Sequence, residues 1–161
     1  MLINYTKQPD FNLAEHKKIF IEQHIKYAND ITNEELGVDN LNTTLEEIFD
    51  KTTKLYSQGS LELLNAYNDN NELIAFIIGF TNLEGNEFNI RHLNWKDESN
   101  IPLDEMFMQL PQIKRITCRT RRSIKKYHEI LQGLNFKASD DVVFPDGYSK
   151  EIHQGYVRVQ N

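Results

Sequence analysis

The period of the hydrophobic positions changes several times along the chain, and each change marks an element. Residues 3–7, INYTK, read as a short strand that Pro9 ends. From Asn12 the period becomes helical: Leu13, Phe20, Ile21, His24, Ile25 and Ala28 fall on one face. Asn12 is placed to cap this helix with Glu15 three residues on, and the helix fades around Asn29 and Asp30. The polar stretch from Thr32 to Asn42 reads as a loop. A second helix, capped by Asn42 or Thr43, carries the stripe Leu45, Ile48, Phe49, Thr52, Leu55 and Tyr56, and Gly59 ends it.

LELLNAYNDNNELIAFIIGF then predicts two strands joined by the turn NDNN. The second of them, Leu73 to Phe80, is almost wholly apolar, the pattern of a central strand buried on both faces. LEGNE is a turn around Gly85. In the strand after it, Phe88, Ile90 and His92 share one face and alternate with Asn89, Arg91 and Leu93 as far as Trp95. Pro102 opens a short helix through Met106, Phe107 and Leu110, and Pro111 closes it. IKRITC is a strand. RRSIKKYHEILQGL is a helix burying Ile124, Tyr127, Ile130, Leu131 and Leu134. Phe136 begins another strand, VVFPDGY holds a turn, and HQGYVRV is the last strand. The order β-α-α-β-β-β-α-β-α-β-β predicts one α+β domain over residues 1–161, with helices flanking a mixed sheet of about 6–7 strands.

Composition narrows the class. No apolar run approaches the roughly 20 residues of a membrane helix. The start, MLINYTKQPD, has no basic region followed by an apolar stretch. Cys118 is the only cysteine, so no internal disulfide forms, and a buried structural thiol in a reducing compartment is expected. The expectation is a cytoplasmic protein without membrane partners. Net charge is -6, which disfavours nucleic acid as a general partner. The distribution is uneven: residues 114–126 hold 7 of the 18 basic residues and no acidic one, leaving 11 basic against 24 acidic elsewhere. That patch is either a solvated face or an anion site for phosphate, nucleic acid or an acidic protein.

Two stretches carry a resemblance. ELIAFIIGF is similar to a strand that ends in Gly-Phe after a turn in the GNAT superfamily of acyl-CoA-dependent N-acyltransferases. RRSIKKYHEILQGLNF resembles that family's helix with the ending tyrosine-glutamate-lysine-leucine-glycine-phenylalanine. With the element order, the likeness spans most of the chain and implies a GNAT-like fold. It also implies acetyl-CoA or another acyl-CoA as cofactor, and a small-molecule or protein amine as acceptor. In the implied chemistry a deprotonated amine attacks the thioester carbonyl directly, and a strand N–H meets the oxyanion.

The resemblance also places residues. The meander's third strand and the strand after the central helix splay apart in the family, which puts the cofactor edge at Leu93, Asn94 and Trp95. The phosphate loop falls on WKDESNIPLDEMF, with Ser99 and Asn100 as its polar contacts. This loop departs from the family's Arg/Gln-x-x-Gly-x-Gly/Ala pattern. Glu98 stands where the Arg or Gln belongs, Ile101 and Leu103 stand where glycines belong, and the stretch contains no glycine. At an effective dielectric near 20, a carboxylate about 4 Å from a phosphate costs on the order of 4 kcal/mol before screening. Arg121 and Arg122 open the last long helix against its dipole, so an anion such as the cofactor's phosphates is one reading and a solvated end is the other.

The family's tyrosine acid falls on Leu131, with Tyr127 one turn earlier on the same face, either as that acid or as a core tyrosine with a bonded hydroxyl. Asn135 replaces the family's glycine and tolerates the left-handed conformation. Glu87 and His92 are the base candidates, and strand alternation points them to opposite faces. His16 and His24 are too far apart for a metal pair, and no metal spacing, nucleotide loop or nucleophile elbow is present. Three readings stay open: an acyltransferase, a GNAT-like fold that has lost its cofactor and serves as a binding module, and an anion binder using residues 114–126.

Overall fold

The computed structural model describes residues 1–7, 13–36, 41–57, 61–110, 112–144 and 149–160. Its elements follow the expected order: β1 (Leu2–Lys7), α1 (Ala14–Leu36), α2 (Leu41–Ser57), β2 (Glu62–Tyr67), β3 (Leu73–Thr81), β4 (Glu87–Trp95), α3 (Leu103–Phe107), β5 (Arg115–Arg121), α4 (Lys125–Gly133), β6 (Lys137–Ala138) and β7 (His153–Val159). They build a seven-stranded sheet in the order β1-β2-β3-β4-β5-β7-β6. Every neighbouring pair is antiparallel except β4 with β5.

Several boundaries differ from the sequence reading. α1 continues to Leu36 instead of fading at Asn29, because residues 30–36 contain no proline or glycine to stop it. α2 begins at Leu41, ahead of both cap candidates. α4 starts only at Lys125, so Arg121 closes β5 and Arg122 lies in the turn; neither opens the helix. The expected stops at Pro9, Gly59 and Pro111, the Asn12 cap, the side chains of Ala28, Thr52, Leu55 and Tyr56, and most of the turn in VVFPDGY lie outside the described residues.

Both faces of the sheet are covered. On one face Ile19 and Phe20 of α1 and Leu45 and Phe49 of α2 pack on Leu63, Phe76 and Ile78. On the other, Leu103, Met106 and Phe107 of α3 and Tyr127 and Leu131 of α4 pack on Leu64, Ile77, Phe88 and Ile116. β3 alternates between the two clusters, which is why its sequence is apolar throughout. Each large side chain so buried contributes about 1.5–3 kcal/mol, so the sheet is held from both sides. The buried face of α1 is rotated from the expected stripe. His16, Ile19, Phe20 and Gln23 are buried, while Ile25 is exposed.

Turns follow their chemistry. In NDNN, the Asn68 side chain accepts from the Asn70 and Glu72 N–H groups, and Asn71 adopts φ 62°. Asn135 sits at φ 67°, as its tolerance of the left-handed region allows.

Candidate functional site

The site begins with a short strand pairing. β4 and β5 run parallel through only three register pairs: Glu87 with Arg115, Phe88 with Ile116, and Asn89 with Thr117. Thr117 Oγ1 donates to Asn89 Oδ1 at 2.6 Å across the last pair. Beyond it the strands part. On the other side of β4, Gly79 pairs with Ile90 and Ile78 with His92, so Arg91 is an extra residue and forms a β-bulge. A bulge sharpens the local twist and re-aims the strand. Here it turns β4 away from β5, which continues straight with β7.

The bulge corrects the alternation read from sequence. Phe88 and Ile90 face α3 and α4, yet His92 faces α1 and α2, where its ring lies 5.2 Å from Phe20 and 5.4 Å from Phe49. His92 therefore does not share a face with Phe88 and Ile90. Alternation from Phe88 puts Glu87 on the α1 side too, so Glu87 and His92 point the same way, not to opposite faces. They are still not brought together. His92 lines the cleft, whereas Glu87 sits at the closed end beside Arg115, outside the lining.

The parted strands open a cleft of about 380 Å³. β4 lines it from Ile90 to Trp95 and β5 from Cys118 to Arg121, with Tyr127 of α4 on one side and Phe20, Gln23 and His24 of α1 on the other. The opening lets the two helical layers touch through the sheet. Tyr127 meets His24 at 5.7 Å, Tyr27 at 6.0 Å and Trp95 at 6.3 Å between ring centroids.

Gln23 occupies the strand edge. Its Oε1 accepts from the Trp95 N–H at 2.8 Å, and its Nε2 donates to the Tyr127 hydroxyl at 3.4 Å. Lys96 N–H bonds Ile74 of β3 instead, so Trp95 N–H, and by the period of two Leu93 N–H, point toward β5. These are the donors a ligand amide would use, and a carboxamide already sits on one of them. Leu93, Asn94 and Trp95, expected as the cofactor edge, all line the cleft.

Electrostatics separate the groups. Burial pushes the His24 imidazole down to about 4 and the His92 imidazole to about 3, His24 adding to the effect on His92, so both rings are neutral at pH 7. Burial also raises the Tyr127 phenol above its ordinary value, although the Gln23 hydrogen bond opposes it, and the proton stays on the oxygen. Cys118 is buried, as expected, and burial holds its thiol protonated.

The loop after β4 is turned inward. Ser99 donates both its N–H and its hydroxyl to Asp97 Oδ1, and Asn100 N–H bonds the Asp97 carbonyl. Glu98 accepts from the Tyr27 hydroxyl and pairs with Lys126 at 3.4 Å. Hydrogen bonds from Ser99 lower the Asp97 carboxyl, and the one from Tyr27 lowers that of Glu98, so both are ionised. α3 spans only five residues, and Asp104 and Glu105 stand in its first turn. This segment does not fit a diphosphate. Arg122 Nε donates to the Lys150 carbonyl and Nη1 to Gln154 Oε1, tying the turn before α4 to β7 and the residues leading into it; Arg121 lines the cleft. Leu131, the position aligned with the family's tyrosine, is packed in the core.

Sequence reasoning missed Gln23 and Arg91, whereas Arg119 belongs to the basic patch it singled out at residues 114–126. Gln23 and Tyr27 repeat the Phe20 position at i+3 and i+7, so a polar residue on a buried helical face was the available signal. Arg91 became a cleft residue only through the bulge.

No family model matches the sequence, and no curated protein matches it significantly. Solved structures match it along almost its full length. An acetyltransferase of the GNAT family from Staphylococcus aureus Mu50 is 15% identical over 98% of this chain and 99% of its own, with a TM-score of 0.53. The Campylobacter jejuni N-acetyltransferase PseH, in complex with acetyl coenzyme A, is 15% identical over 99% and 100%, with a TM-score of 0.56. The PaiA N-acetyltransferase of Thermoplasma acidophilum, in complex with coenzyme A, is 16% identical over 99% and 100%, with a TM-score of 0.54.

Proposed function

We propose that this chain, whose fold is that of the GNAT acetyltransferases, transfers an acyl group from an acyl-CoA to an amine in the cleft between β4 and β5. The observation that carries the reading is the parted pair itself, with strand N–H groups and the Tyr127 hydroxyl directed into one opening. When bound, acyl-CoA supplies the acyl thioester that the amine attacks.

The fit to this group is divided. The strand edge fits its amide-bearing arm, a reading supported by the Gln23 carboxamide oxygen that accepts from the Trp95 N–H. The loop from Lys96 to Pro102 does not fit its diphosphate, so the arm supplies most of the affinity. Leu93 and Trp95 hold the arm through backbone N–H groups once Gln23 turns aside. Tyr127, neutral and with its proton available, is the acid that protonates the leaving sulfur. His92 Nε2 has no partner among the described residues and, in the tautomer protonated at Nδ1, accepts a hydrogen bond from the amine. A ring whose pKa is held near 3 does not retain a proton at pH 7, so it orients the amine and the proton leaves to solvent. Glu87, at the closed end, takes no part.

Gln23→Ala tests this arrangement. Opening the edge removes the internal competitor, so the variant is expected to bind acetyl-CoA about 5-fold more tightly by calorimetry, while losing about 1–2 kcal/mol of stability because the buried Trp95 N–H is left unpaired. Equal or weaker binding means that the arm does not use this edge.

A further inference from the structure

In direct attack the entering nitrogen and the leaving sulfur share one carbonyl carbon, so the groups that serve them must be neighbours. Tyr127 serves the sulfur in the reading above. Among the described residues three rings lie against it: His24 at 5.7 Å, Tyr27 at 6.0 Å and Trp95 at 6.3 Å. Trp95 Nε1 can only donate, and Tyr27, whose hydroxyl donates to Glu98, does not line the cleft. Resting on that reading, we infer that His24 receives the acceptor amine: its Nε2 accepts a hydrogen bond from the attacking nitrogen and orients it toward the thioester carbon.

The helix itself fixes the tautomer. His24 Nδ1 lies 3.1 Å from the Phe20 carbonyl oxygen, one turn back on α1. A carbonyl only accepts, so Nδ1 carries the hydrogen and Nε2 keeps its lone pair. Nε2 has no partner among the described residues, and His24 lines the cleft. Burial keeps the ring neutral at pH 7, so the lone pair is available. Packing holds the ring in place, with Phe20 at 4.4 Å and Tyr127 at 5.7 Å. The same Phe20 ring touches His92 at 5.2 Å, so both imidazoles lie against one aromatic ring. A neutral primary amine has two N–H groups, one for each.

The step balances without a further base. The nitrogen lone pair forms the C–N bond, the C–S electron pair leaves with sulfur, and sulfur takes the Tyr127 proton. The proton that nitrogen loses goes to solvent, from which Tyr127 recovers its own. His24 orients the amine and retains no proton, because its pKa is held at about 4.

NMR of the wild-type protein, with the histidine ring nitrogens labelled, reads the contact itself. The unprotonated His24 Nε2 resonance is identified by its loss in His24→Gln. It should move upfield and saturate as benzylamine is added at a pH where half of that amine is neutral. Benzyl methyl ether, similar in body but without a donor, should leave it in place. Two variants separate the nitrogen from the packing. His24→Asn keeps a donor for the Phe20 carbonyl but has no acceptor at the Nε2 position, and His24→Gln restores one. With acetyl-CoA and benzylamine, the asparagine variant is expected to lose about 10-fold in acceptor kcat/KM, near the worth of one hydrogen bond, with the acetyl-CoA KM unchanged. The glutamine variant should keep most of it. A resonance that stays put at tens of millimolar benzylamine, an asparagine variant with wild-type acceptor kcat/KM, or a glutamine variant as impaired as the asparagine one overturns the inference. A shift in a protein that releases no CoA leaves the amine contact standing and contradicts the acyltransfer reading instead.

Discussion

Tyr127→Phe is expected to lower kcat about 100-fold, the low end for loss of a positioned proton donor, with little change in the acceptor KM. Its hydroxyl lies against the cleft and keeps its proton, because burial raises the phenol pKa. Among the described residues its one hydrogen bond is the long contact from Gln23, at 3.4 Å, so losing the oxygen costs less than about 1 kcal/mol of stability. The ring stays packed against Trp95, His24 and Tyr27 in either case. Activity and stability should therefore separate. A variant with wild-type kcat leaves Tyr127 as a core residue alone, and one that loses both together reports a packing defect. Steady-state kinetics beside urea denaturation make the distinction.

The second large effect is on the fold that shapes the cleft. Gly79 faces the bulge in β4, at the point where β4 leaves β5. A Cβ there would lie 2.4 Å from the Asn89 carbonyl oxygen and 2.8 Å from two atoms of the Phe88 ring. The oxygen belongs to the backbone and the ring is fully buried, so neither moves aside cheaply. Gly79→Ala is expected to cost about 3 kcal/mol, the upper range for overpacking, and to lower the melting temperature by roughly 10 °C for a domain of this size. Gly133→Ala, at the end of α4 with nothing within 4 Å of the added carbon, is the control. It should be neutral or up to about 1 kcal/mol stabilising. A Gly79→Ala protein as stable as the control would mean that β3 and β4 do not approach this closely.

What sequence conveys about such a molecule depends on how local the cause is. The element order was legible because helices and strands bury faces with different periods, and β3 announced its two-sided burial through its apolar run. The α1 boundary was not, since nothing local stops the helix between Asp30 and Leu36. The bulge was the costliest omission. It is a property of the β3–β4 pairing and leaves no mark in FNIRHLNW, yet it moves His92 to the other face and brings Arg91 into the cleft. The lack of glycine in the loop was readable directly from composition, whereas its inward hydrogen bonding was not. Gln23 was invisible as a site residue because its partners, Trp95 and Tyr127, lie 72 and 104 residues away.

A calorimetric titration of the wild-type protein with acetyl-CoA and, in parallel, with acetyl-pantetheine, which lacks the diphosphate, reads whether the cleft takes the cofactor's arm. If the strand edge holds the arm and the loop holds nothing, both bind at one saturable site with affinities within about 10-fold, a difference of about 1.4 kcal/mol. Absence of heat from either compound at millimolar concentration would contradict the acyltransferase account.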